Sequence, residues 1–230
     1  MLDFAFRGRT PAVGVTIMTF DPLVRETHLS RGPSPGSLPV SAASVLVLLA
    51  GSLVYWTNLF GLSRLMPASR EWVFARGEYW RLLTTILAHA DFQHFLANGI
   101  VFGVLAFLLY GYYGCLVFPL LSVLSGAAVT AVSLRTYPPH TLLVGASGAI
   151  YWMAAFWLTL YLFVERRVDP KKRVLRAIGF GLILLVPTVI EPEVSYRTHS
   201  IGFALGVLSG VLYFSRRKEA IRAAEVIEFY

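Results

Sequence analysis

The polar residues of this 230-residue chain fall in bands, and long apolar runs lie between the bands. No Asp, Glu, Lys or Arg occurs between Arg31 and Arg64, or between Asp91 and Arg135. The stretches 136–164, 177–190 and 198–215 are also uncharged. A bilayer core takes about 20 apolar residues per helix. The 43 residues after Asp91 are therefore enough for two crossings, with Gly111-Tyr112-Tyr113-Gly114 as the turn between them. The pattern predicts six spans, near 40–62, 93–112, 115–134, 147–164, 174–190 and 198–215.

The segments outside the spans have compositions of their own. Residues 1–39 include "SRGPSPGSLP" and read as a mobile cytoplasmic tail. The first apolar run starts too late, and is too long, for a simple cleaved signal peptide. After it, "SRLMPASREWVFARGEYWR" mixes Trp72, Phe74, Tyr79 and Trp80 with arginines, which suits a loop lying in the membrane interface. Residues 216–230 read as a basic cytoplasmic tail forming a short surface helix. The fold expected is an all-α membrane protein, a six-helix bundle over 40–215 with an interfacial first outer loop.

Composition agrees with that picture. The chain is 56% hydrophobic and 14% charged, against about 25% charged for a soluble domain, and its mean hydropathy is +0.64. The net charge of +7 is a matter of topology: 14 of the 20 Lys and Arg fall on the side that holds both termini, with "ERRVDPKKR" and "RRK" the densest runs. The positive-inside rule makes that side cytoplasmic. Basic loops beside a membrane are ordinary, so nucleic acid is excluded as a partner. Cys115 is the one cysteine, which leaves no intrachain disulfide and no thiolate metal cage.

Polar residues inside spans are costly unless they are paired or used. Three stretches stand out: "HADFQHFLAN" with His89, His94 and Asn98, "GASG" with Ser147, and "THSIGFALGVLSG" with His199. With the N-terminus inside, spans two, four and six all run from outside to inside. Their starts share one depth near the outer leaflet. His94 and Asn98 are four apart and share a helix face. Gly202, Gly206 and Gly210 let a neighbouring helix approach closely. If that neighbour is span four, with Gly148, Ala149, Ala154 and Ala155, His199 reaches Ser147. A Ser–His pair suffices for nucleophilic catalysis, Asn98, His94 and the Ser147 amide are suitable oxyanion donors, and Tyr151 lies one turn beyond to stack on the histidine. No acidic residue lies within the spans to orient His199.

Each residue alone also has a structural reading. A serine between glycines caps helices, Asn98 and His94 serve as interhelical glue, and Trp80 and Arg81 fit an interfacial belt. A metal site from His89, His94 and His199 lacks a carboxylate and suitable spacing. A small transporter would show paired half-repeats and charged relays, and neither is present.

Taken together, the motifs resemble the rhomboid family of intramembrane serine proteases. They occur in family order: "YWR" with Trp80 and Arg81, H-x4-H-x3-N over 89–98, G-x-S-G over 145–148, and H-x2-G-x3-G over 199–206. The resemblance implies Ser147 as nucleophile, His199 as general base and acid, and an oxyanion hole from His94, Asn98 and the Ser147 amide. It implies that Tyr151 packs on the catalytic histidine, that His89 braces loops, and that Trp80 and Arg81 anchor the first outer loop in the interface. Gly145, Gly148, Gly202 and Gly206 complete the matched motifs. The resemblance also implies transmembrane-helix protein substrates, a bilayer environment and no cofactor or metal. A compact six-span core with both ends inside suits a bacterial plasma membrane, and the short fifth span with Pro187, across from span two, is the expected side gate. Thr198 stands where the family usually has alanine, and no acidic residue occurs near Tyr110. The alternative within the same fold is a pseudoprotease that binds membrane proteins without cutting them.

Overall fold

The structure is a computed structural model and describes residues 22–190 and 195–229. Residues 1–21 of the expected tail, Glu191, Glu193 and the side chain of Pro187 lie outside the described residues. The described helices are α1 (Ser37–Thr57), α2 (Arg81–Leu87), α3 (Phe92–Tyr113), α4 (Ser122–Leu134), α5 (Ser147–Val164), α6 (Pro170–Ile190) and α7 (Tyr196–Arg222). Two short strands, β1 (Pro22–Glu26) and β2 (Val226–Phe229), flank them. Five stretches are long and apolar enough to cross a membrane: Ser37–Thr57, Phe92–Tyr113, Leu116–Leu134, Ser147–Val164 and Tyr196–Arg222.

The bundle is organised around α5. Trp152, Met153, Ala154, Ala155, Phe156 and Leu160 are all buried, where α1 and α3 show lipid-facing apolar surface such as Leu46, Val47 and Ile100. A helix apolar all round and buried all round is the centre of a bundle. Its closest neighbour is α7, and glycine makes that approach possible. A Cβ on Gly202 would stand 2.6 Å from the Gly148 carbonyl oxygen, and one on Gly210 would stand 2.8 Å from the Thr159 Cβ. On Gly206 it would run into the Trp152 carbonyl. The glycines of the last span therefore do face span four.

Both tails differ from expectation. From Pro22 onward the N-terminal segment is built into the fold. β1 pairs antiparallel with β2, with Leu23 opposite Glu228, and Arg25 Nε donates to Glu228 at 2.8 Å. The His28 ring lies 2.7 Å from the Tyr112 carbonyl oxygen and stacks on Tyr113. The Pro/Ser-rich stretch docks on the C-terminal end of α3, because Ser34 N donates to the Gly111 carbonyl at 3.0 Å and Gly111 has no Cβ to meet Pro33. At the other end, no separate surface helix forms. α7 continues through "RRKEAIR", a run of good helix formers, and β-branched Val226 and Ile227 then open β2. The predicted turn at 111–114 also shifts: α3 runs through Tyr113, and the chain reverses at Gly114, whose φ of 76° suits glycine.

Candidate active site

Ser147 is the first residue of α5, and the chain before it is held on several sides. Leu143 pairs with Ala68 through two backbone hydrogen bonds of 2.8 and 3.1 Å. Thr85 of α2 donates from Oγ1 to the Leu143 carbonyl at 2.5 Å, and its own carbonyl accepts from Gly145 N at 2.9 Å. Gly145 adopts φ 116°, a conformation that a side chain would strain. Ala146 N donates to His89 Nε2 at 3.4 Å. The capping position belongs to Ala146, so the half-buried Ser147 hydroxyl is not an N-cap. Its amide is among the first-turn donors that have no partner inside the helix.

His199 sits in the first turn of α7 with its amide on the Ser195 carbonyl at 3.1 Å. Its ring is 5% exposed and lies flat on Tyr151, centroids 4.0 Å apart and planes 11° apart. Tyr151 in turn donates its hydroxyl to the Leu184 carbonyl of α6. Thr198, one residue earlier, brings its methyl within 2.9 Å of where a Cβ on Gly148 would be. The Ser147–Gly148 step of α5 therefore faces the Thr198–Gly202 stretch of α7.

His94 and Asn98 come in from α3. A Cβ on Gly145 would meet His94 Cε1 at 3.1 Å, His94 Nε2 at 3.4 Å and Asn98 Nδ2 at 3.8 Å. Both side chains thus point at the backbone two residues before Ser147. Asp91 fixes the start of this helix, accepting from His94 N at 2.7 Å as an N-cap should. Asn98 Nδ2 is buried and has no hydrogen-bond partner among the described residues.

His89 does not join this row as a donor. It is fully buried, 2.9 Å from Ser52 Oγ through Nδ1, and its carbonyl accepts from Trp56 Nε1 at 2.7 Å. It ties α1 to the loop ahead of α5. Burial pushes its imidazole down to about 4, with neighbouring His94 adding to the effect, so the ring is neutral. Trp80 is half-exposed, in keeping with an interfacial position, but Arg81 turns inward and is 4% exposed. Its guanidinium bonds Glu78 and the carbonyls of Arg64 and Pro67 and lies 4.2 Å over the Trp72 ring. Arg81 therefore holds the loop together from inside; it is not an anchor in the headgroups. Among the described residues no group of three His, Cys, Asp or Glu side chains is placed to hold a metal.

Sequence reasoning passed over Thr85 and Ser52, which position the loop and His89, and also Tyr137 and Ser195. Their signal was present, since each is a hydroxyl residue in a charge-free stretch or next to a site motif, but hydroxyls are common there. Only the fold picks out these four.

The chain is an integral, multi-pass helical membrane protein with a polar site built between α3, α5 and α7. The model of the Rhomboid domain matches residues 76–216, more than half of it. It is similar to "Putative rhomboid protease YdcA" of Bacillus subtilis (strain 168), 29% identical over 146 residues that cover 63% of this chain and 72% of that protein. It is also similar to "RHOMBOID-like protein 5" of Arabidopsis thaliana, 27% identical over 154 residues, 66% of this chain and half of the relative's length. The chain belongs to the rhomboid family.

Proposed function

We propose that this protein is an intramembrane serine endopeptidase that cuts transmembrane segments of other membrane proteins with a Ser147–His199 dyad. The observation that carries the reading is the unspent Asn98 amide. A buried donor without a partner costs about 1–3 kcal/mol. This one points, beside His94, at the backbone leading into a serine at a helix start. An oxyanion forming next to Ser147 supplies the missing acceptor, so the cost in the resting state becomes selective stabilisation of the transition state.

The chemistry follows from the arrangement. A substrate helix unwinds locally and presents a carbonyl to Ser147. His199 takes the hydroxyl proton as Oγ attacks. The negative charge forms against Asn98, His94 and the Ser147 amide, where the positive end of α5 adds to the field. Collapse breaks the C–N bond, and His199 returns its proton to the leaving amine. Water then attacks the acyl-enzyme with His199 as base. None of these steps calls for a cofactor.

The topology belongs to the same reading. The β1–β2 pairing supports segments before α1 and after α7 on one side of the bilayer, and with them an even number of crossings. Five stretches and α6 make six, which supports α6 as a crossing. The basic residues beside both ends favour the cytoplasm, with a bacterial plasma membrane as the setting.

The test is labelling of the full chain in lipid by a fluorophosphonate, with the adduct mapped by mass spectrometry beside Ser147→Ala and His199→Ala. An adduct on Ser147 that both substitutions abolish is the expected result. An unlabelled but folded chain would instead favour a rhomboid-fold binder that does not cut.

A further inference from the structure

Tyr137, Ser195 and Thr198 lie outside the dyad and its oxyanion donors, yet they form one hydrogen-bonded chain that ends beside both. Ser195 Oγ donates to Thr198 Oγ1 at 2.5 Å, and Tyr137 Oη lies 2.7 Å from Ser195 Oγ. Ser195 has a single proton and spends it on Thr198, so Tyr137 is the donor in the other bond. Ser195 is the N-cap residue of α7, and its carbonyl accepts from His199 N. Next to it, Arg197 donates to the Thr136 carbonyl at 2.6 Å and lies 5.1 Å over the Tyr137 ring.

Two residues just ahead of His199, Ser195 and Arg197, therefore grip the segment that follows α4, and Thr198 is tied to the first of them. The first turn of a helix has unpaired backbone donors and frays most easily, and His199 sits in that turn. We propose that Tyr137, Ser195 and Thr198 are positioning residues for His199, setting the height and rotation of the start of α7 so that the imidazole faces Ser147. The inference rests on the protease reading above.

Thr198 contributes in two separable ways. Its hydroxyl ends the relay, and its methyl packs against Gly148, immediately after the nucleophile. An alanine here supplies neither the hydroxyl nor the full contact. In this chain the threonine replaces backbone packing alone with a side-chain tether that reaches the end of α4.

The experiment uses the full chain in lipid vesicles, with Tyr137→Phe, Thr198→Val and Thr198→Ser. The readouts are the second-order rate of Ser147 labelling by a fluorophosphonate, its pH dependence, and the thermal midpoint. Displacements well under 1 Å should slow labelling about tenfold in Tyr137→Phe and Thr198→Val. The pH midpoint of the rate should move, while Thr198→Ser stays close to the unmodified chain because it keeps the hydroxyl. Labelling at an unchanged rate in Tyr137→Phe and Thr198→Val overturns the inference. So does a loss that follows the thermal midpoint, leaves the pH midpoint in place and is equal in Thr198→Ser and Thr198→Val. Failure of the unmodified chain to label at Ser147 would remove the protease reading itself, and the inference with it.

Discussion

The Tyr151 ring lies parallel to the His199 imidazole, their centroids 4.0 Å apart. The parallel ring face orients the base. An aromatic stack is worth about 0.5–1.5 kcal/mol, so Tyr151→Ala should slow labelling of Ser147 about tenfold. Tyr151→Phe keeps the stack and gives up the hydroxyl that bonds the Leu184 carbonyl; its loss should be much smaller. Equal losses in the two variants would assign the effect to the hydroxyl.

Glycine substitutions separate close contact from mere helix content. A Cβ on Gly206 meets the Trp152 carbonyl and Ala155, so Gly206→Ala should force α5 and α7 apart. Overpacking of this kind costs about 1–3 kcal/mol, read as a lower thermal midpoint in detergent. Gly179 of α6 has nothing within 4 Å of its Cβ position, and Gly179→Ala should leave the midpoint unchanged or raise it.

The neutral His89 gives stability a pH dependence. Its imidazole titrates near 4 in the folded chain against 6.5 when unfolded. Between those values the unfolded chain binds a proton that the folded one refuses. The contribution is therefore complete above pH 6.5 and is lost as the pH falls towards 4. The thermal midpoint should decline over that window, with a slope of at most about 1.4 kcal/mol per pH unit. His89→Gln should be less stable above the window and flatter across it; an unchanged slope would place the effect on another group.

Arg81 has four partners in one buried place: Glu78, two carbonyls and the Trp72 face. Lysine cannot reproduce that fork. Arg81→Lys should loosen residues 58–81 before the rest, visible as protease cutting within that segment of the folded protein. Arg81→Ala should cost about 1–3 kcal/mol, since it leaves the Pro67 carbonyl, bonded in a buried setting, without its donor.

The spans were legible because charge and apolar length are local properties. α3, α5, the end of α4 and the start of α7 lie within a few residues of where the pattern puts them. The facing of Gly202 and Gly206 towards Gly148 and Trp152 was legible too, since small residues at four-residue spacing have few other uses in lipid. The inward turn of Arg81 was not legible, because an arginine between tryptophans has the same composition whether it faces headgroups or carbonyls. The Tyr137–Ser195–Thr198 chain joins positions 58 residues apart with ordinary hydroxyls, and no spacing rule covers such a pair. The β1–β2 pairing was the least legible. Two short strands that meet across nearly the whole chain leave no local period to read.

That pairing has a consequence for how the molecule is made. β1 leaves the ribosome ahead of every span, while β2 follows the last of them. Throughout membrane insertion the early strand is an open edge, and its charges at Arg25 and Glu26 are the kind that discourage chance pairing. Closure waits until α7 has been made. A chain released before Val226 leaves β1 exposed, an open edge that marks a bundle made without its closing strand.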